Sequence, residues 1–366
     1  MPAKVLLLSD TNSEHTEKWA LGLAAKGIKI GLFSFNKARY NWFEGHPNIE
    51  LLYQPETGID ANSKSTKLNY ISNVKVLKKI IAKFKPDILH AHYATSYGLI
   101  GALTGFHPFV ISVWGTDVMK FPQKNIVNRR LLKYNFKKAD VICATSRTIQ
   151  AYVSQVIEKP VEVIPFGVDL NIFKPKEVKS LFSPDDFVVG SIKPLESIYN
   201  INILVQAFTK LSHKYSNMKL IIIGEGREKE NLMKMCAQNG ISDKAIFPGR
   251  INFAEVSNYF NMLDVLVNIS DYESFGVSVI EAMACEKPVI VTKVGGLKEV
   301  VENDNYGALV KIADVDATVE AIERFYLDKD LKIRIGKNCR QKVNEKYNWE
   351  NNVQQMIATY QRLLRK

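Results

Sequence analysis

The stretch KVLLLSDTNSEHTEKWALGLAAKGIKIGLFSF, residues 4–35, sets the architecture. Val5 to Leu8 form an unbroken apolar run, the pattern of a strand covered by helices on both faces. Asp10, Thr11, Asn12 and Ser13 are turn and N-cap residues, and the spacing predicts a helix from Glu14 to about Lys26 that Gly27 ends. A second apolar strand follows at once. Strand, helix and strand in that order make a parallel pair with a crossover. The same rhythm continues in DILHAHY (87–93), PFVISVWG (108–115), DVICATS (140–146) and VEVIPFG (161–167), so residues 1–167 read as one doubly wound α/β domain.

A second set of such units starts with FVVGSI (187–192) and runs through KLIIIGEG (219–226), AIFPGR (245–250), VLVNIS (265–270) and PVIVTKVGG (288–296). Between the sets, residues 168–185 turn polar and carry Pro175 and Pro184, which predicts a linker. The second domain then spans 186–346. Residues 347–366 form a terminal helix with apolar spacing at Trp349, Val353, Met356, Ile357, Tyr360 and Leu363. The expected fold is α/β, two Rossmann-like parallel-sheet domains facing a central cleft, with ligands at the carboxyl ends of the strands.

Composition narrows the class. With 46% hydrophobic and 24% charged residues among 366, the chain is neither disordered nor membrane-spanning. The early run Val5–Leu8 is too short for a signal-peptide core, so the expected location is the cytoplasm. Cys143, Cys236, Cys285 and Cys339 are scattered and suggest neither a zinc site nor a disulfide framework. Residues 1–180 hold 25 Lys and Arg against 14 Asp and Glu, whereas residues 181–366 hold 24 against 24. The whole excess of +11 therefore sits in the first half of the chain and calls for an anionic partner.

The chemistry concentrates in DYESFGVSVIEAMACEKPVI, residues 271–290. A loop carrying Glu273 follows a strand, and then Phe275-Gly276 opens a helix that bears Glu281. Gly276 lets backbone amides approach a ligand, and the helix N-terminus behind it favours a phosphate. Glu281 can accept both hydroxyls of a ribose. Taken alone, the two glutamates also fit as solvated surface residues.

This combination resembles the signature of the GT-B retaining glycosyltransferases of family four, the glycosyl transferases group 1. SEHTEKWALGLAAKGIKI, DILHAHYATSYG, VIPFGVDLNIF, IIIGEGREKENL and PVIVTKVGGLKEVV are similar to further segments of that family, in the same order. The resemblance implies that Glu281 binds the donor ribose and that Glu273 contacts the donor sugar. The backbone at Phe275, Gly276 and Val277 would hold the diphosphate. Gly224, Glu225, Gly226 and Arg250 would shape the base pocket. His92 matches a histidine of the family that reaches the donor sugar or its phosphate, although a hydrogen-bonded core histidine at a strand end fits the residue too. His90 reads as structural.

The chain departs from the family at one point. Members typically carry an Arg followed a short way on by Lys-Gly, and these cations neutralise the leaving diphosphate. Here the corresponding residues are Lys193 and then Tyr199-Asn200, so one cation survives and one is missing. Lys293 and Arg250 are candidate replacements. On the acceptor side, His15 follows the polar turn after the first strand. Trp114 and Asp117 in VWGTD pair an aromatic face with a carboxylate, which grips sugars, although a packed Trp with a capping Asp fits the string equally. Asp314-Val315-Asp316 and Asp328-Lys329-Asp330 imitate a metal-binding D-x-D but read as helix caps, and no metal is expected.

Two basic clusters complete the reading. Residues 67–85 predict an amphipathic helix with Lys67, Lys75, Lys78, Lys79, Lys83 and Lys85 opposite Leu68, Val74, Leu77, Ile80, Ile81 and Phe84. The second gathers Lys120, Lys124, Arg129, Arg130, Lys133, Lys137 and Lys138. A solvated lysine face is one reading, and docking on an anionic inner leaflet is the other. No nucleic-acid-binding motif is present, so nucleic acid is not the expected partner. The resemblance implies transfer of a hexose from a UDP- or GDP-linked nucleotide sugar to a glycan or lipid-diphosphate-linked acceptor, with retention, in surface polysaccharide biosynthesis. A sugar-nucleotide epimerase, a phosphorylase or a weakly active partner subunit of the same fold are the alternatives.

Overall fold

A computed structural model describes residues 3–56 and 66–365; side chains at 66–72, including Lys67 and Leu68 of the first basic cluster, lie outside the described set. The chain divides into two compact units, residues 1–165 with 350–366, and residues 166–349.

In the first unit the strands are β1 (Lys4–Leu8), β2 (Lys29–Phe33), β3 (Ile49–Tyr53), β4 (Ile88–His92), β5 (Phe109–Val113), β6 (Val141–Ala144) and β7 (Val161–Val163). They alternate with helices α1 (Glu14–Ala25), α2 (Thr66–Phe84), α3 (Ser96–Thr104), α4 (Thr116–Met119), α5 (Ile126–Lys138) and α6 (Arg147–Ser154). The sheet order is β3-β2-β1-β4-β5-β6-β7 and every ladder is parallel. Val5 to Leu8 are wholly buried, as their unalternating apolar run requires.

The second unit repeats the plan. Its strands are β8 (Phe187–Ile192), β9 (Met218–Ile223), β10 (Ala245–Gly249), β11 (Val265–Asn268), β12 (Val289–Thr292) and β13 (Gly307–Val310). Its helices are α7 (Ile201–Lys214), α8 (Lys229–Gln238), α9 (Phe253–Met262), α10 (Val277–Ala284), α11 (Gly295–Val301), α12 (Val315–Leu327) and α13 (Lys329–Lys346). The order β10-β9-β8-β11-β12-β13, again parallel, is the order of the first six strands of the other sheet. In each sheet the first and fourth strands are neighbours, and their connections leave in opposite directions. That reversal opens a crevice at the carboxyl ends of β1 and β4, and another at β8 and β11.

Three features differ from the sequence-based expectation. Strands β3 and β13 were not foreseen; both are short edge strands, and an edge strand needs no long apolar run because only one side of it is paired. The expected linker at 168–185 begins as packed structure in the second unit. Phe173 is buried against the rings of Phe253 and Phe260, and Ser257 donates to the Ile172 carbonyl at 2.6 Å. The passages between the units fall at 165/166 and 349/350, where Val168 and Asn348 form a parallel bridge. Asp314 and Asp328 cap α12 and α13, accepting from the amides of Ala317 and Leu331, which accounts for the D-x-D strings.

The last helix, α14 (Trp349–Leu364), joins the first unit from Glu350 onward. Its buried face carries Val353, Met356, Tyr360 and Leu363. The Tyr360 hydroxyl meets His90 Nδ1 at 2.6 Å, and His90 Nε2 meets Ser112 Oγ at 2.8 Å, so His90 is consumed by a structural network. Tyr360→Phe is expected to leave a buried ring nitrogen unsatisfied and to lower stability by about 1–3 kcal/mol in urea unfolding. Tyr40→Phe, at an exposed position, serves as the control and should change nothing.

Candidate active site

In the second unit the crevice between β8 and β11 is built by glycines. Gly224, just beyond β9, has φ +145, and a Cβ there would lie 1.9 Å from the Lys193 carbonyl oxygen. A Cβ on Gly226 would lie 2.2 Å from the Leu195 carbonyl oxygen. Their absence lets the loop at 224–226 lie directly on the segment after β8. The Lys193 amide donates to the Ile223 carbonyl at 3.0 Å and the Leu195 amide to the Glu225 carbonyl at 2.9 Å. The Gly224 amide in turn donates to Gly249 at 3.0 Å, which joins the turn bearing Arg250 to the same ladder. Glu225 pairs with Lys229 at 2.6 Å, one turn away.

Lys193 is held from the other side by Glu273. Their ammonium and carboxylate form an ion pair, with side chains only 11% and 16% exposed. The Lys193 ammonium also lies 5.1 Å from the centre of the Tyr199 ring, a cation–π arrangement. Burial first, and the nearby carboxylates of Glu273 and Glu196 second, raise the Tyr199 hydroxyl above its usual range. Asn200 sits at φ 51, the left-handed region a glycine would take most easily, and its side chain donates to the Ile269 carbonyl at 3.2 Å and to Asp271 at 2.5 Å. Asn200 thus takes a turn that a glycine would take most easily, and the Tyr199 ring lies against the Lys193 ammonium.

Glu273 owes its position to a glycine pair that the motif reading did not single out as site residues. A Cβ on Gly295 would fall 2.1 Å from the Glu273 carbonyl oxygen, and one on Gly296 would fall 2.4 Å from Phe275 Cα; the Gly296 amide donates to Glu273 at 3.0 Å. The sequence signal was the Gly-Gly dipeptide between a strand and a helix. Gly276, at φ 102, begins α10, followed by Val277, and Glu281 is buried in that helix. The Phe275 ring is buried between Phe166 and Tyr347 and anchors the loop. Arg250 and Lys293 are exposed. A cavity of about 400 Å³ opens beside Asn200, but Glu196, Glu228 and Asp271 line it. Three carboxylates make it a poor place for a diphosphate.

In the first unit the equivalent crevice lies between β1 and β4. His92 is fully buried there, its Nδ1 3.0 Å from Ser9 Oγ, which itself contacts Thr16 Oγ1 at 2.6 Å. The Trp114 ring lies 4.7 Å from the His92 ring, and His15 packs edge-on to Trp114 at 5.6 Å. Three predicted residues, His92, Trp114 and His15, thus share one cluster at the carboxyl edge of the sheet. Burial lowers all three histidines: His15 to about 4, His90 to about 3, and His92 well below its usual value with help from His90 and His15. The cluster is neutral at pH 7. Asp117 is buried and accepts from the amides of Ala94 and Gly115 at 2.9 Å each; burial raises its carboxyl and these amides oppose the rise. Its oxygens hold the loop around Trp114.

Two doubly wound parallel sheets of one strand order, with this glycine-built crevice, define the GT-B class of glycosyltransferase. Residues 173–342 match the family model described as glycosyl transferases group 1, and residues 4–146 match that described as glycosyl transferase 4-like. The chain belongs to the group 1 glycosyltransferases. It is 25% identical over 291 residues to N-acetyl-alpha-D-glucosaminyl L-malate synthase of Bacillus anthracis, covering 76% of this chain and 75% of that protein. It is 32% identical over 202 residues to the capsular polysaccharide biosynthesis glycosyltransferase CapM of Staphylococcus aureus, covering 53% and 51%. The structure of Anabaena HepE in complex with UDP superposes with a TM-score of 0.80 at 20% identity, covering 98% of this chain and all of that one.

Two measurements follow from this geometry. Gly224→Ala is expected to abolish nucleotide-dependent thermal stabilisation, since its Cβ would displace the backbone that carries Lys193. Below pH 6.5 the unfolded chain takes up protons that folded His90 and His92 refuse, so their contribution is intact above 6.5 and stability falls as pH drops. Both histidines lower stability toward acid in urea unfolding between pH 6.5 and 5, the slope from His90 approaching about 1.4 kcal/mol per pH unit as pH nears 5. A flat profile across that window would show that these histidines are not buried neutral.

Proposed function

We propose that the chain transfers a hexose from a UDP- or GDP-sugar to a hydroxyl of a glycan or lipid-diphosphate-linked sugar, with retention of anomeric configuration and without a metal. The observation that carries the reading is the Lys193–Glu273 pair at the β8–β11 crevice, set beside the Gly276-initiated helix α10. Capsule biosynthesis by one relative and UDP in the HepE structure support the donor class and the glycan context.

The reaction breaks the bond between the sugar C1 and the diphosphate oxygen and leaves negative charge on the departing group. In this reading the Lys193 ammonium and the first amides of α10 meet that charge, and the Glu281 carboxylate accepts the ribose hydroxyls. Free Lys193 is tied to Glu273, so a bound diphosphate must compete for it. Glu273 is then released toward the sugar, where positive character develops at C1. In the first unit His92 is a neutral hydrogen-bonding group, because burial keeps it uncharged. Trp114 and His15 supply an apolar face and a polar edge for the acceptor.

Thermal shift with UDP-, GDP- and ADP-sugars, followed by assay of released nucleotide with and without EDTA, tests the proposal. One donor is expected to stabilise the chain, with slow chelator-insensitive release. Glu281→Gln should weaken donor binding about tenfold, and Glu273→Gln should lower kcat about 10²–10³-fold while donor binding persists. Tyr199→Lys is expected to raise kcat by restoring the second cation. Indifference to every nucleotide sugar would sink the reading.

A further inference from the structure

We propose that the rim formed by Lys120–Tyr134 is a docking surface for an anionic lipid bilayer, with Ile126 and Val127 entering the headgroup layer. This inference does not rest on the donor chemistry above, since binding to lipid needs no nucleotide. Between Asp117 and Asp140 there is no acidic residue, and seven are Lys or Arg. All seven are exposed. Among them the first two residues of α5, Ile126 and Val127, are 60% and 68% exposed, and Tyr134 on the same helix is exposed as well. Scattered exposed aliphatics need no explanation, but an adjacent pair inside a purely cationic surface does.

The local structure holds these side chains out. Asn125 caps α5 by accepting from the Asn128 amide at 2.9 Å, which fixes the first turn. The helix buries Leu132, Asn135 and Phe136 and so turns its other face to solvent. No acid occupies its first turn, so the positive end of its dipole is uncompensated. Helix α5 links β5 to the parallel strand β6, so its first turn lies at the carboxyl edge of the sheet, the edge that carries Trp114 and His92. An acceptor with a lipid tail would arrive at that edge.

The first basic cluster extends the surface. Helices α2 and α5 both pack on α3, which places them in one layer over the sheet. Lys75, Lys78, Lys79 and Lys83 are exposed on α2 and Lys85 just after it, while Leu77 is buried. Two clusters far apart in sequence thus share one side of the first unit. Phosphate-bearing headgroups answer the cations, and the acyl boundary answers Ile126 and Val127. A nucleic acid would answer only the first, having no use for exposed β-branched aliphatics.

The test is sedimentation with vesicles of phosphatidylcholine alone or of equal parts phosphatidylcholine and phosphatidylglycerol. The chain is expected to bind only the anionic vesicles and to be partly released by salt. Ile126→Glu with Val127→Glu should weaken binding at least about tenfold. Met233→Glu with Leu327→Glu, an equal charge change at exposed apolar positions of the second unit, should retain it. As a second readout, Val127→Cys can be labelled with an environment-sensitive dye, because the four native cysteines are buried. Its emission should shift to the blue on anionic vesicles. Equal binding by the Ile126/Val127 variant, no binding to anionic vesicles, an unshifted dye, or a preference for single-stranded RNA over the vesicles would each overturn the proposal.

Discussion

The close approach of backbone to backbone at 193–195, 224–226, 273–275 and 295–296 is the constraint on which the second unit's chemistry depends. A parallel sheet ends in loops that would ordinarily stand a side chain's width apart. Here Gly224, Gly226, Gly295 and Gly296 remove that width, and backbone hydrogen bonds lock the loops together. Lys193 from one loop and Glu273 from another are thereby brought into contact in a site largely closed to water. The interaction is stronger there than on a surface.

The first unit uses the same sheet order for a different electrostatic end. Its crevice holds aromatic and imidazole rings, and burial strips the histidines of charge. His90 serves α14 through Tyr360, while His92, two residues along the strand, turns to Ser9 and Trp114. The charge of this unit is instead carried by the outer helices α2 and α5. The first unit thus sets a neutral interior edge under a cationic exterior.

Much of this was legible in the residues. Apolar runs without alternation declared parallel strands, and Gly276 and Glu281 declared the helix that follows β11. The edge strands β3 and β13 were not legible, because a strand paired on one side carries a weaker apolar signal. Residues 168–185 read as linker for their polarity, yet the buried Phe173 and the Ser257 bond to the Ile172 carbonyl fasten their first part to α9. Asp117 fits a sugar-binding carboxylate and a capping residue equally in the sequence, and only the structure shows the amides of Ala94 and Gly115 claiming its oxygens.

By itself the sequence determined the two doubly wound sheets, the family and the residues that carry charge, because periodicity and residue chemistry are local properties. The tertiary structure alone decided which of those residues meet. The partnership of Lys193 with Glu273 and Tyr199, the dependence of Glu273 on Gly295 and Gly296, the neutrality of His92, and the union of two lysine clusters on one layer all arise from contacts between distant segments. Those contacts are set by strand order and by where a Cβ is missing, and neither is visible in a local stretch of residues.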